Sequence, residues 1–311
     1  MGVFRSAAIG SFRRLVLVAF IFLAFGCSSP SSETTFLGLK LPYVRGFIGV
    51  ARGFYLPGVA PQDFAIGDEI SIKVNKLSSS KNLPYEYYSL YGMCKPSDGI
   101  HKFVENLGEV LRGDRIENSV YSGSFRMNSR CNIACGKQGV TLNKKQEKMF
   151  KSRIDDEYKV NLILDNLPVG MVRVKKTKNG KVSVKTYERG FPVGIKGKGD
   201  TYYLYNHLVF KILYHESLDA GGSATSRIVG FEVEPYSVRH SIDDKGQLRG
   251  CDDKAGFNFG NAPKQQKVDD DEDVIFTYDV VYEPSDITWA SRWDTYLIMT
   301  DKEVHWFSIV N

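Results

Sequence analysis

The sequence contains no G-x-S-x-G nucleophile elbow, no Walker loop, no H-E-x-x-H and no G-x-G-x-x-G dinucleotide fingerprint. None of the chemistries that need those spacings is therefore signalled. Histidine is sparse: His101, His207, His215, His240 and His305 are scattered. His207 and His215 bracket one predicted strand and share its face. Eight extended residues span roughly 27 Å, too far for a shared ligand. Excess charge is also missing. The net charge is +5, and Arg5, Arg13 and Arg14 lie in the first 26 residues, which carry no acid; without them 38 basic residues face 36 acidic ones. That balance gives no electrostatic case for nucleic acid. The absence of an N-x-S/T sequon argues against a glycosylated adhesion stalk. No apolar run reaches membrane-spanning length: Leu15 to Phe25 has eleven residues, where a spanning helix needs about 20.

That run follows Arg13-Arg14 and precedes Ala24-Phe25-Gly26. A basic start, a short apolar middle and small residues make residues 1–26 a secretory signal, with cleavage after Gly26. An uncleaved anchor is one alternative. A lipoprotein tether at Cys27 is another, although Ala24 stands where its usual Leu would be. Residues 27–53 are read as a linker, because Phe36 to Val50 is apolar without a clear period.

With Cys27 set aside, Cys94, Cys131, Cys135 and Cys251 remain. An even number in a secreted chain points to two disulfides, with three possible pairings. Closing Cys131 on Cys135 makes a small strained loop; pairings with Cys94 and Cys251 join distant segments. A metal site would combine C-x3-C with His207, His215 or His240. Zinc sites usually take two close pairs, so no metal or other cofactor is expected.

The 17 Tyr and 19 Phe, with many Val and Ile, favour β structure. Alternation predicts a strand from Glu69 to Val74. Further strands are expected at Val160–Leu164, Leu208–Tyr214, Ile228–Val233 and Val274–Tyr282. Asn179-Gly180, between Val172/Val174 and Val182/Val184, signals a hairpin. Asn143 caps a helix running to about Asp156, with Gln146 in the capping-box position and Phe150 and Ile154 on its buried face. The expectation is a mainly β, β-sandwich-like domain over residues 54–311, with one or two short helices. Gly108 and Gly113 match no phosphate loop, and the acidic run Asp269–Asp273 matches no EF-hand. Both read as surface loops, and Asp155-Asp156-Glu157 reads as a surface cluster.

The segment from Asp286 to Asn311 holds all three tryptophans, Trp289, Trp293 and Trp306. Trp and Tyr favour the water–lipid boundary. Trp289, Trp293, Trp306 and Phe307 are therefore read as a membrane-proximal edge. The alternative is that the tryptophans are core residues of a final strand.

FYLPGVAPQDF (Phe54–Phe64), LPYEYYSL (Leu83–Leu90), ENLGEVLRGDRIENS (Glu105–Ser119), IDDEYKVNLILDNLP (Ile154–Pro168), YNHLVFKILYH (Tyr205–His215), RIVGFEVEPYSV (Arg227–Val238), IFTYDVVYEPSDITWASRWDTYLIM (Ile275–Met299) and HWFSIVN (His305–Asn311) together resemble the N-terminal domain of the transmembrane 9 superfamily, also called nonaspanins or endomembrane protein 70. The wording is closest to the plant branch. The resemblance implies a luminal domain followed by nine membrane spans, the first beginning after HWFSIVN. The chain then looks like the luminal domain alone, and residues 28 to 52 depart from the family pattern.

The resemblance also implies residence in Golgi and endosomal membranes and a part in sorting membrane cargo. It implies no catalytic activity and no small-molecule substrate. The partners it implies are membrane spans, its own or associated, and membrane-protein cargo. The four cysteines stand where family cysteines stand, which supports two luminal disulfides. The alternatives are a structural luminal cap without cargo contact, a free-standing secreted binding protein, and a secreted enzyme built around Cys131, Cys135 and a histidine.

Overall fold

The structure, a computed structural model, describes residues 60–297 except 91, 104–113, 137–138, 177–182, 219–223, 245–247, 250, 253–255, 258–263 and 270–272. Contacts divide the chain between Gly53 and Phe54. Everything below belongs to the second unit. The expected features at Phe54–Gly58, Asn179-Gly180, Trp306 and Phe307, and most of the 106–115 loop, lie outside the described residues.

The fold is mainly β. In chain order the first strands are β1 Glu69–Ser78, β2 Tyr85–Glu86, β3 Lys102–Phe103, β4 Ile116–Ser124, β5 Ser129–Ile133 and β6 Val140–Thr141. Helix α1, Lys144–Asp155, follows. Then come β7 Lys159–Leu164, β8 Leu167–Pro168, β9 Gly170–Lys176, β10 Ser183–Arg189, β11 Phe191–Pro192, β12 Gly194–Lys196 and β13 Tyr202–Leu204. The long strands β14 His207–Leu218 and β15 Ala224–Tyr236 precede β16 Cys251–Asp252, β17 Gly256–Phe257, β18 Asp273–Val274 and β19 Thr277–Pro284. A 3-10 turn, Trp289–Ser291, and the one-turn helix α2, Asp294–Leu297, end the described chain.

Two sheets dominate. The first has the order β11-β7-β1-β4-β3, with β2 also on β1 and β8 on β7. The second runs β10-β9-β15-β14-β19-β5 and is mixed, because β14 pairs β19, and β15 pairs β9, in parallel. The period of two decides which face each strand buries. Ile70, Ile72 and Val74 of β1, and Leu208, Phe210 and Ile212 of β14, are buried. The sheets meet through aromatic rings: Tyr121 of β4 stands edge-on to Phe210 and Tyr278 of the second sheet, with centroids 5.4 and 5.2 Å away. Phe125 does the same with Tyr214 and Tyr282. Each buried aromatic contributes roughly 1.5–3 kcal/mol of hydrophobic stabilisation.

Helix α1 starts where its capping residue predicts. Asn143 Oδ1 accepts from the Lys145 and Gln146 amides, and the Asn143 amide donates to Gln146 Oε1 at 2.9 Å. Phe150 and Ile154 are its buried residues. β9 and β10 pair antiparallel, from Ser183 with Lys176 to Arg189 with Gly170, and the turn expected at Asn179-Gly180 lies outside the described residues.

Three expectations change. The predicted strand 274–282 is broken: Val274 belongs to β18, and β19 starts at Thr277. Asn206 occupies the break, donating to the Ile275 carbonyl and accepting from the Thr277 amide. The polar 241–273 stretch, where no strand is expected, contains β16 and β17, and the described ends of its acidic run lie at the surface as read, each with one contact. Thr141 Oγ1 donates to Asp273 at 2.6 Å, and Asp269 lies 3.8 Å from Lys151. Last, β4 was not visible in the sequence pattern, since Glu117 and Asn118 are buried within it.

Candidate functional site

The segment after β19 was read either as a membrane-proximal edge or as a final core strand. Its described part is no strand. Trp289 is half-buried, Trp293 is exposed, and between them Arg292 is only 1% exposed. Arg292 Nη1 donates to Asp165 Oδ2 at 2.5 Å and to the Ile228 carbonyl at 3.0 Å. Its guanidinium carbon lies 4.7 Å from the Trp289 ring centroid and 6.0 Å from that of Trp293. This is cation–π contact, strengthened where water is excluded.

The two acceptors come from different sheets. Asp165 and Asn166 form the two-residue turn between β7 and β8, with φ of 47° and 63°. Such a turn needs positive φ at both positions, which Asp and Asn tolerate. Ile228 belongs to β15. Arg292 thus bolts both sheets to the tryptophan segment.

The β15 edge explains why a side chain does this work. β9 pairs β15 only at Glu232 and Val233, leaving the rest of that edge open. Open strand edges present unpaired backbone groups. Here the Phe64 amide donates to the Ser226 carbonyl at 2.8 Å, Arg292 serves Ile228, and the Phe231 amide donates to Tyr296 Oη at 3.2 Å. A bulge sets this alternation. Leu213 pairs Gly230 and Tyr214 pairs Ile228, so Val229 is the extra residue. Even residues face outward before it and Phe231 after it. Burial raises the Tyr296 phenol above its ordinary pKa and keeps it neutral. A cavity of about 20 Å³ beside Tyr296, lined by Leu213, Phe231 and Ile287, has room for about one water.

Of the three cysteine pairings open to the sequence, the structure has Cys94–Cys135 and Cys131–Cys251, with Cα–Cα distances of 5.3 and 5.9 Å. The second ties β5 to β16 across 120 residues. The buried Asp279 accepts from the Cys131 amide at 2.8 Å; desolvation lifts its carboxyl above the usual range, opposed by that amide and by Arg130. The histidines do not join the cysteines. His215 bonds the Ser285 carbonyl, whereas His207 reaches His240 through Thr277. Asp155 is a surface carboxylate: the Tyr202 hydroxyl, then Lys196, hold it below the usual carboxylate range. Among the described residues no three His, Cys, Asp or Glu side chains are grouped to hold a metal.

The family model described as Endomembrane protein 70 matches residues 84–311. The chain belongs to the endomembrane protein 70, or transmembrane 9, family. Among curated relatives it is 49% identical over 275 residues to Transmembrane 9 superfamily member 8 of Arabidopsis thaliana, covering 85% of this chain and 41% of that protein. It is 49% identical over 270 residues to member 10 of the same plant, covering 84% and 41%. With member 4 of Homo sapiens it shares 41% identity over 268 residues, covering 83% and 41%. The chain therefore spans about 41% of the length of these relatives. No solved structure matches it. Among the described residues no helix is long and apolar enough to cross a membrane.

For this endomembrane protein 70 member, sequence reasoning found the tryptophans and missed Arg292, Asp165 and Tyr296. One signal was available for Asp165. Asp-Asn between Ile163-Leu164 and Leu167-Pro168 is a two-residue turn pair flanked by apolar residues. Nothing local connects it to Arg292, 127 residues away.

Proposed function

We propose that this chain is a non-enzymatic luminal domain of a Golgi and endosomal membrane protein, which docks on membrane-spanning segments through the Trp289–Trp306 edge and positions membrane-protein cargo. The observation that supports it is the Arg292 clasp. A buried ion pair fixes the tryptophan segment rigidly to both sheets, so force or position at that edge is passed to the whole β body. The exposed Trp293 is amphipathic and suits a water–lipid boundary. The two disulfides suit the oxidising lumen of the secretory pathway. Family membership supplies the endomembrane setting. The partners are the spans and the cargo.

The test is photo-crosslinking of the full-length membrane protein to its membrane cargo, with and without this domain. Loss of cargo crosslinks on removing the domain, with the spans still correctly inserted, is the expected result. Unchanged crosslinks would overturn the cargo role and leave a structural luminal cap.

A further inference from the structure

A single exposed apolar side chain is ordinary, but several at one end of a fold are not. The strand register places four at the end that carries the tryptophan segment. β14 runs parallel to β19, and the pairing stops at Tyr214 with Pro284; β14 continues to Leu218, which is 75% exposed. β4 reaches the same end at Ser124, opposite Glu69, the first residue of β1. There Phe125-Arg126 forms a two-residue turn, with φ of 61° at Arg126, that delivers Met127, 55% exposed. The loop before β1 closes on this turn: the Gly67 amide donates to the Phe125 carbonyl at 2.9 Å, and Phe64 stacks on Phe125. Ile66, between them, is 67% exposed. Phe64 also pairs Ser226 of β15, two residues from the carbonyl that Arg292 holds, beside the exposed Trp293. Four separate connections, from both sheets, thus each present one apolar tip.

The charges at this end are arranged to suit an uncharged partner. Arg126 pairs Glu216, Arg227 lies 2.6 Å from Asp63, and Arg292 lies 2.5 Å from Asp165. Three arginines that would otherwise attract an anionic surface are therefore each matched by a carboxylate of the same end. The exposed acids Asp286 and Asp294 flank the tryptophans and add no attraction for anionic lipid. The tips themselves project outward, with more than half of Ile66, Met127 and Leu218 in water. A folded partner would need a matching socket for each; lipid chains are fluid and receive separate projections without one. The described chain also ends here, at Leu297, and residues 298–311 with Trp306 and Phe307 follow it.

We propose that Ile66, Met127, Leu218 and Trp293 are a four-point lipid contact: this end of the β body rests on a zwitterionic bilayer and dips these side chains into its interface. The inference rests on the reading of the tryptophan segment as membrane-proximal and widens it from one segment to both sheets. It does not depend on cargo, so unchanged cargo crosslinks leave it standing.

The experiment holds the full 311-residue chain on phosphatidylcholine vesicles by a C-terminal histidine tag on nickel-chelating lipid, so that every variant has the same access to the surface. A benzophenone amino acid replaces Ile66, Met127, Leu218 or Trp293, one at a time. Leu83 and Ile195 are the references: both are exposed, and they lie by the other end of β1 and in the β12–β13 pair. After irradiation, lipid-modified peptide should exceed the reference yield several-fold at all four positions. Next, Ile66→Ser, Met127→Ser and Leu218→Ser are combined with the probe at position 293. Losing three apolar anchors should cut its lipid yield roughly tenfold. Equal yields at all six positions, or a yield at 293 that ignores the three serines, overturn the proposal. Lipid at 293 alone also overturns it, while leaving the membrane-proximal reading of the tryptophans intact. Crosslinks from these tips to a second copy of the chain, in place of lipid, would make this end a protein interface instead. Should the triple variant not fold, the single-probe yields decide.

Discussion

Two buried polar junctions hold this β body, and they are built on opposite principles. At Arg292 the junction is ionic: a guanidinium meets Asp165, with side-chain exposures of 1% and 5%. At His207 and His240 the junction holds two groups that can be charged and keeps both neutral. The first fixes the chain's last described segment to both sheets. The second joins β14 and β19 to the chain that follows β15. Burial is common to both, so the difference lies in which protonation state the surroundings solvate. Arg292 has a carboxylate, a carbonyl and two indole faces. The histidines share the Thr277 hydroxyl.

The largest effect expected from breaking this comparison is at Arg292. Removing one partner of a buried pair strands the other's charge, at a cost of about 3–5 kcal/mol. Arg292→Ala should therefore lower the unfolding free energy by about that much in urea titrations. Replacing Arg292 and Asp165 together should cost less than the sum of the single changes, because neither leaves an orphaned charge. Strict additivity would mean that the two side chains do not act as a pair.

The neutral junction should show itself through acid rather than mutation. Both folded values lie below the ordinary histidine value, so the stability they supply is complete above about pH 6.5 and is lost as pH falls toward about 4. Between pH 7 and pH 5 each imidazole should remove about 2 kcal/mol from the unfolding free energy. His240→Gln should flatten the pH profile by about one such step while leaving the value at pH 7 less changed. A profile that keeps its slope in that variant would place the sensitivity elsewhere.

The contrast also explains what the sequence could and could not disclose. Period-two alternation made β1 legible, richness in Val, Ile, Phe and Tyr did so for the inner parts of β14 and β15, and Asn143 with Gln146 announced α1 seven residues before Phe150, its first buried residue. These are local rules, readable within a window. β4 escaped because Glu117 and Asn118 interrupt its apolar pattern while being buried themselves. The split at 275–277 escaped because its cause, Asn206, is 69 residues away. The clasp escaped for the same reason: tryptophan is conspicuous, but the arginine between two tryptophans looks like surface until Asp165 and the open edge of β15 are placed beside it. His207 was weighed against His215 on its own strand, when its companion His240 reaches it through Thr277 of another.

Away from both junctions the α1 cap provides a calibration. Asn143→Ala removes the two bonds that its side chain accepts from the Lys145 and Gln146 amides, while the backbone amide at 143 can still donate to Gln146 Oε1. It should cost about 1 kcal/mol, equally at pH 7 and pH 5. A pH-dependent cost would show that α1 is coupled to the histidines, which nothing in its contacts suggests.

The smallest expected effect sharpens the ionic side. Lys81 Nζ lies 2.7 Å from Glu157 Oε1, nearly the geometry of Arg292 with Asp165, yet the two side chains are 49% and 61% exposed. Water already solvates both charges, so their attraction is weak and each long side chain loses rotamer freedom to make the bond. Lys81→Ala should change stability by less than about 1 kcal/mol and by still less at 1 M salt. If burial is what makes Arg292 strong, these two pairs of like distance must differ several-fold in a double-mutant cycle. Equal coupling energies would mean that distance alone sets the strength, and the clasp would then owe its hold to the hydrogen bond with Ile228 and the indole contacts instead.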